Sequence, residues 1–245
     1  MSKIQTIYYS SAEPGAIYKS VYSIELDGSQ KKNLSTSLGY NNANFLNGMK
    51  YFINTYSNAN TPPVIALQKA NGELLKTLEE NAALLEKMKK EKLSPRVFLS
   101  IPTSSVILNA SLIYPVNYDP TKKYPVFVNV YGGPGHNEVL DCWDGNDYFF
   151  HNLLAQDGYM VLSIDPRGTQ YRGADFKKST YLQLGKLEIE DVLEATRVFA
   201  ARSDVDPTRL GIMGWSYGGF MSSLAMTKGN GLFKVGIAVA PVTNW

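Results

Sequence analysis

The chain has 245 residues and a formal net charge of +2, from 24 basic and 22 acidic side chains, so it carries no electrostatic signature of nucleic-acid binding. Its one cysteine, Cys142, excludes an internal disulfide and a zinc site built from cysteines, and we predict no metal and no cofactor. No stretch approaches the roughly eighteen apolar residues of a membrane span.

Residues 1–68 are predicted to be all-β. Three short runs rich in aromatic and β-branched residues indicate strands, at residues 6–10, 20–24 and 50–56. Asp27-Gly28 and Asn47-Gly48 are typical of the tight turns between such strands. Because one propeller blade has about four strands and cannot bury its own faces, we predict the terminal blade of a partial β-propeller.

Residues 69–95 are predicted to be a charged, helical linker. The stretch 71–93 is rich in Lys and Glu, which is typical of a helix with a solvated face. Pro95 ends it and marks a domain boundary.

Residues 96–245 are predicted to be one α/β domain that is incomplete at its C-terminus. The predicted strands lie at residues 96–101, 106–114, 125–131, 160–165, 209–213 and 234–240, and the predicted helices at 148–156, 184–201 and 220–226. Strands that alternate with helices form a mostly parallel sheet with helices on both faces. Glu188, Glu190 and Asp191 are interpreted as the polar face of the long helix.

The stretch Gly214-Trp215-Ser216-Tyr217-Gly218 fits the Gly-x-Ser-x-Gly nucleophile elbow, a sharp turn between a strand and a helix. Its glycines leave room for the turn, because a Cβ at either position would crowd the neighbouring strand and helix. We therefore predict that Ser216 is a catalytic nucleophile.

A nucleophilic serine needs a histidine base and an acid that orients the base. In α/β-hydrolases these follow the serine, in the order Ser, Asp or Glu, His. His136 and His151 both precede Ser216, so we expect His136 to line the mouth of the site and His151 to be a surface or packing residue. The triad Asp and His are expected beyond Trp245, and the 245 residues alone are expected to be inactive.

Five motifs carry a resemblance to a known family, at residues 54–63, 131–135 (Tyr-Gly-Gly-Pro-Gly), 165–169 (Asp-Pro-Arg-Gly-Thr), 214–220 and 238–245. In these motifs and their order the chain resembles the prolyl oligopeptidase family of serine peptidases, and within it the bacterial dipeptidyl peptidase IV group. The resemblance implies a β-propeller followed by an α/β-hydrolase domain. This chain would then hold the last propeller blade and the first part of the hydrolase domain.

The resemblance also implies roles for the residues that match. Ser216 would attack the peptide carbonyl, and the backbone N–H of Tyr217 and the hydroxyl of Tyr131 would donate hydrogen bonds to the oxyanion. A phenol suits this task because it is neutral at pH 7 and a stronger donor than an aliphatic hydroxyl. An alternative for Tyr131 is an aromatic side chain that packs on the end of the sheet. Tyr217, Val242 and Trp245 would form the apolar wall beside the substrate's proline or alanine.

The implied function is a cofactor-free serine peptidase that releases Xaa-Pro or Xaa-Ala dipeptides from peptides with a free N-terminus. The glutamates that hold the substrate's amino group in such enzymes lie in propeller segments outside these residues. Family analogy further implies homodimers and an exported or periplasmic protein, with its signal upstream. Arg167, in the Asp-x-Arg-Gly turn, is expected to form a structural ion pair.

Two alternatives remain open. One is an esterase or lipase on the same hydrolase scaffold, which the preceding blade and the Trp-Ser-Tyr elbow argue against. The other is a non-catalytic interaction module derived from a peptidase.

Overall fold

The computed structural model describes residues 5–35 and 37–243 of the chain. They form β-strands and helices, and the longest helix in these ranges, Leu187–Ala200, has 14 residues. Within these ranges, no helix is both long and apolar enough to cross a membrane.

The described residues divide into two compact units. One takes in the chain up to Glu91 together with Leu140–Gly145, and the other takes in Lys92–Val139 together with the chain from Asn146 onward. The predicted domain boundaries after residues 68 and 95 stay a prediction.

The first unit contains two antiparallel sheets. The strands of one sheet are β1 (Thr6–Ser11), β2 (Ser20–Glu25) and β3 (Lys32–Asn33), in that spatial order. The strands of the other are β4 (Tyr40–Phe45), β5 (Tyr51–Asn58), β6 (Thr61–Lys69) and β7 (Leu74–Glu79), also in that order. The second sheet has the four strands of a propeller blade. The three-stranded sheet precedes it along the chain, and the assignment of residues 1–68 to one terminal blade stays a prediction.

A small apolar core joins the two sheets of this unit. Val21 of β2, Leu34 after β3 and Phe52 of β5 are buried together, with 1%, 2% and 0% of their surface exposed. Both predicted turns are confirmed, because Gly28 and Gly48 have φ values of 86° and 82° in the left-handed region.

The predicted helix over residues 71–93 is wrong in its first half. Leu74–Glu79 is strand β7, which pairs antiparallel with β6 through a turn in which Gly72 donates its N–H to the Lys69 carbonyl. Pairing with an existing strand outweighs the helix propensity of Leu, Lys and Glu, which is a weak local preference. The helix that does form, α1, is limited to Ala82–Lys90, and none of its residues is buried.

A short segment of the predicted hydrolase region belongs to the first unit. In Leu140–Gly145, the backbone N–H of Asp141 donates to the Ile17 carbonyl at 2.8 Å, and its carboxylate accepts the Ala59 N–H at 2.8 Å. No local sequence pattern predicted these contacts, because Asp141 and Ala59 are 82 residues apart along the chain.

The second unit is built on a six-stranded mixed sheet of spatial order β13-β12-β10-β11-β9-β8. The strands are β8 (Arg96–Pro102), β9 (Ile107–Ile113), β10 (Tyr124–Asn129), β11 (Met160–Asp165), β12 (Val205–Trp215) and β13 (Val235–Val239). Strands β10 to β13 run parallel, while β9 is antiparallel to both β11 and β8. The parallel part of the sheet carries the nucleophile elbow.

Helices cover both faces of this sheet, as predicted. They are α2 (Asn146–Gln156), α3 (Ala174–Lys178), α4 (Leu187–Ala200) and α5 (Tyr217–Lys228). Alternate strand residues point to opposite faces, so Val126 and Val128 pack in the core with α4 and α5, whereas Phe127 packs with Ala155 of α2. A fully buried aliphatic side chain such as Leu162 contributes roughly 1.5–3 kcal/mol, so the central strands form a rigid support for the site.

Candidate active site

Ser216 lies at the sharp turn between β12, which ends at Trp215, and α5, which begins at Tyr217. Its backbone has φ 56° and ψ −113°, a conformation that costs a non-glycine residue roughly 1–3 kcal/mol. The Ser216 N–H donates to the Val239 carbonyl of β13 at 2.9 Å, and its carbonyl accepts the Phe220 N–H at 3.1 Å. The predicted elbow is confirmed, and the half-buried Ser216 is held in a strained turn by the neighbouring strand.

The glycines of the elbow permit close backbone contact with the end of β10. A Cβ at Gly214 would collide with the backbone of Gly218 and with the Val130 carbonyl. A Cβ at Gly218 would collide with the same carbonyl and lie 3.1 Å from the Tyr131 Cα. The motif predicted that these positions need small residues. The close approach that the glycines allow places Tyr131 next to the nucleophile turn.

Tyr131 contacts the residue that follows the nucleophile. The centroids of its ring and the Tyr217 ring are 6.0 Å apart, and a Cβ at Gly133 would lie 2.6 Å from the Tyr131 ring and 2.9 Å from the Tyr217 ring. Gly133 therefore packs against both rings. Tyr131 is half-buried at the edge of the core, and its role as oxyanion donor stays a prediction.

The Tyr217 side chain is buried, with 2% of its surface exposed. Its hydroxyl donates to Oε1 of Glu188 at 2.6 Å, and its ring meets the Phe220 ring edge-to-face at 5.5 Å. Burial and the Glu188 carboxylate raise the pKa of Tyr217, so the phenol stays neutral. In this arrangement the ring offers little surface to a ligand, and its place in the substrate wall stays a prediction.

The interpretation of Glu188 and Asp191 as part of a polar helix face is wrong. Only 0% of Glu188 and 1% of Asp191 is exposed, whereas Glu190 between them is exposed. Each buried acid has a specific partner from another element, Tyr217 for Glu188 and Arg167 for Asp191. Burial raises the pKa of Glu188 and outweighs the Tyr217 hydrogen bond, which lowers it.

The predicted structural ion pair of Arg167 is confirmed. Its guanidinium binds both carboxylate oxygens of Asp191, with Nη2–Oδ1 at 2.6 Å and Nε–Oδ2 at 2.9 Å, and its backbone N–H adds a bond of 2.8 Å. This bidentate pair ties the turn after β11 to α4.

Asp165, whose motif was noted in the sequence without a role for the acid, anchors the loop after the Tyr131 motif. Its buried carboxylate accepts hydrogen bonds from Asn137 Nδ2 at 2.9 Å, the Glu138 N–H at 2.8 Å and the Val139 N–H at 3.2 Å. Burial raises the pKa of Asp165 to about 7, because desolvation outweighs these hydrogen bonds. An acid at the carboxyl end of an otherwise apolar strand was the available signal.

The two histidines occupy different surroundings. His151 on α2 is buried, and its Nδ1 lies 3.4 Å from a guanidinium nitrogen of Arg96, which confirms it as a packing residue. His136 is exposed, its ring meets the Tyr131 ring edge-to-face at 4.5 Å, and its Nε2 lies 3.4 Å from Glu138. His136 therefore lies beside Tyr131, and its place at the mouth of the site stays a prediction.

Val242 belongs to the segment after β13. The Val239 carbonyl at the end of β13 accepts the Ser216 N–H, and Pro241 packs so closely on Gly219 that a Cβ there would lie 3.1 Å away. The half-buried Val242 thus follows a segment that touches the elbow helix, and its place in the substrate wall stays a prediction. Trp245, predicted for the same wall, lies outside the described residues.

Among residues 5–35 and 37–243, no group of three or more His, Cys, Asp or Glu side chains is arranged to hold a metal ion. The elbow holds the strained Ser216, with the backbone of Tyr217 after it and the Tyr131 side chain beside the turn. These groups can support nucleophilic attack and stabilise an oxyanion.

Comparisons with known proteins find relatives of both regions of the chain. The sequence profile of the prolyl oligopeptidase family matches residues 146–245, and that of the dipeptidyl peptidase IV N-terminal region matches residues 1–63. Dipeptidyl peptidase 4 of Trichophyton equinum is 34% identical over 255 residues, covering 100% of this chain and 32% of that protein. Human prolyl endopeptidase FAP is 34% identical over 206 residues, covering 84% of this chain and 27% of that protein.

The structural comparison gives the same result. The crystal structure of Porphyromonas gingivalis dipeptidyl peptidase 4 superposes with a TM-score of 0.94 at 42% identity, covering 98% of this chain and 34% of that one. The chain thus spans about a third or less of the length of these relatives. With two profiles that match in the expected order and a fold that agrees along nearly the whole chain, the chain belongs to the prolyl oligopeptidase family.

Proposed function

We propose that the protein is a serine peptidase that hydrolyses peptide bonds through an acyl-enzyme on Ser216. The observation that carries the proposal is the strained elbow, in which Ser216, with φ of 56°, lies at the turn between a strand and a helix beside Tyr131. In this fold the triad Asp or Glu and the His follow the serine along the chain.

In the proposed reaction, the Ser216 hydroxyl loses its proton to the histidine base as its oxygen bonds to the substrate carbonyl carbon. The negative oxygen of the tetrahedral intermediate accepts hydrogen bonds from the Tyr217 N–H and the Tyr131 hydroxyl. The C–N bond then breaks, and the leaving amine takes the proton from the histidine. Water hydrolyses the acyl-enzyme by the same steps in reverse.

We further propose that the protein removes Xaa-Pro or Xaa-Ala dipeptides from free N-termini. This proposal is supported by the name of the Trichophyton and Porphyromonas relatives. The second candidate is endopeptidase activity after proline, favoured by the human relative with the same 34% identity that is named a prolyl endopeptidase. An apolar pocket for proline or alanine discriminates only modestly between substrates. A requirement for a free amino group on the substrate therefore distinguishes a dipeptidyl peptidase from an endopeptidase more sharply.

The test uses the natural full-length protein and its Ser216→Ala variant. A labelled fluorophosphonate is expected to modify the natural protein at Ser216 and to leave the variant unlabelled. Natural protein that folds but is neither labelled nor able to cleave a Gly-Pro reporter amide would refute the peptidase proposal and favour an interaction module.

Two further substrates separate the candidates. A dipeptidyl peptidase is expected to cleave a Gly-Pro reporter and to leave its N-acetylated form intact, whereas equal cleavage of both forms would indicate an endopeptidase. Turnover of a short-chain ester with no turnover of either peptide would indicate an esterase.

We also propose that the peptidase is a homodimer, by analogy with its family. Light scattering of the natural protein is expected to give twice the mass of one chain. A mass of one chain across the micromolar range would refute this part of the proposal.

A further inference from the structure

Glu188 is a buried acid that the proposed reaction does not use. It lies in the first turn of α4 with 0% of its surface exposed. Its Oε1 accepts the Tyr217 hydroxyl at 2.6 Å, and its Oε2 has no hydrogen-bond partner in residues 5–35 and 37–243. A buried carboxyl that is only partly satisfied is costly to stability, so its presence here needs a reason.

The only side chain bonded to this acid in the part of the chain that the structure describes is Tyr217, the residue after the nucleophile. The hydrogen bond is short, and a bond of this kind to a carboxylate is strong and directional. It holds the phenol end of the side chain, while the backbone end of the same residue carries the proposed oxyanion N–H. Glu188 therefore acts on a residue whose orientation matters at both ends.

Tyr217 in turn packs on the second proposed donor. A Cβ on Gly133 would lie 2.9 Å from Cγ of Tyr217 and 2.6 Å from the Tyr131 ring, so both rings lie against this glycine and leave no room for a methyl group there. The ring centroids of Tyr131 and Tyr217 are 6.0 Å apart. A shift of the Tyr217 ring would therefore move Tyr131 or the loop that carries it.

We propose that Glu188 is a positioning residue that sets the oxyanion site by holding Tyr217. The inference rests on the proposed peptidase function and extends it to a residue that acts through Tyr217. The start of α4 suits this role because the helix dipole favours an acid in its first turn. Misplacement of reacting groups by about 1 Å can reduce a rate about a hundredfold. Glu188 can therefore affect turnover through the position of Tyr217, without contacting the reacting atoms.

The test compares four forms of the natural full-length protein with the parent: Glu188→Gln, Tyr217→Phe, the double variant and Glu190→Gln. The last variant is the matched control, because Glu190 is exposed on the same turn of the same helix. Glu188→Gln keeps the side-chain shape and removes the charge from the hydrogen bond. Tyr217→Phe removes the hydroxyl and leaves the backbone N–H in place.

We expect Glu188→Gln and Tyr217→Phe each to lower kcat about tenfold or more, with KM changed less than about twofold, because transition-state contacts are lost while substrate binding is kept. The double variant is expected to match Tyr217→Phe alone, since Glu188 acts through the hydroxyl that this variant lacks. Glu190→Gln is expected to keep the parent's kcat and KM.

A role limited to folding would give a different pattern. Glu188→Gln would then lower the melting temperature while kcat per fluorophosphonate-labelled site stayed at the parent value, and this result would overturn the inference. Effects of the two single variants that multiply in the double variant would overturn it as well. If the parent itself is neither labelled nor active, the proposed peptidase function fails. Labelling of the parent tests that function separately from the role of Glu188.

Discussion

Replacement of Gly133 by alanine is expected to displace the two tyrosines beside the nucleophile. The backbone of Gly133 is outside the left-handed region, so alanine causes no backbone strain there, and the effect comes from the added methyl group alone. That methyl carbon would lie 2.6 Å from the Tyr131 ring and 2.9 Å from the Tyr217 ring. Since carbon atoms in contact are separated by roughly 3.5 Å, the rings or the loop must move by about 0.9 Å.

The magnitude follows from that displacement. Overpacking of this size lowers the free energy of unfolding by about 1–3 kcal/mol. This is less than the usual total stability of about 5–15 kcal/mol, so the protein is expected to stay folded. A shift of about 1 Å in the oxyanion donors is expected to lower kcat/KM about a hundredfold, equivalent to roughly 2.7 kcal/mol of transition-state stabilisation. The Gly133→Ala protein should therefore lose most of its kcat/KM while most of its molecules remain folded.

The assay measures kcat/KM with a Gly-Pro reporter and the melting temperature of the natural full-length protein. Gly211→Ala on β12 is the matched control, because its methyl group would lie 3.7 Å from the nearest atom and its backbone is also unstrained. This control is expected to keep both values. If Gly133→Ala keeps kcat/KM within about threefold of the parent while the protein is folded, the packing of these rings does not set the site, and the reasoning fails.

Three further outcomes are expected from the same structure. Tyr131→Phe should lower kcat by about a hundredfold to a thousandfold without lowering the melting temperature, as loss of one oxyanion donor does elsewhere; an unchanged kcat would favour the packing role for Tyr131. Asp191→Asn should destabilise the protein by about 3 kcal/mol, because it leaves the partly buried Arg167 without its bidentate partner, and thermal or urea unfolding measures this. Asp165 should make stability fall as pH rises from about 4 to 7, since its pKa in the folded protein, about 7, exceeds the ordinary aspartate value of 3.8, and in that range only the folded state holds the proton. Asp165→Asn should flatten this slope in melting curves between pH 5 and 7, and an unchanged slope would contradict the assignment.

The catalytic elbow was predictable because its determinants are local. A turn this sharp requires small residues on both sides of the serine, so the pattern at 214–218 carries its own structural explanation. The buried strand at Met160–Asp165 was predicted with the same bounds that the structure shows, because both of its faces are covered and its sequence is nearly all apolar.

Other features depended on partners that are far apart along the chain. Strand β7 was predicted as helix because only its pairing with β6 makes it extended. Glu188 and Asp191 looked like a solvated helix face because nothing local shows that a tyrosine 29 residues away and an arginine 24 residues away bury them.

The sequence alone therefore determined the alternation of strands and helices, the elbow and the identity of the nucleophile candidate, since periodicity and turn sterics act over a few residues. Only the tertiary structure decided which acids are buried, which rings pack against Gly133 and which loop Asp165 anchors. The reason is physical: burial and desolvation depend on the partner that covers a side chain, and that partner is set by how the sheet and helices pack together.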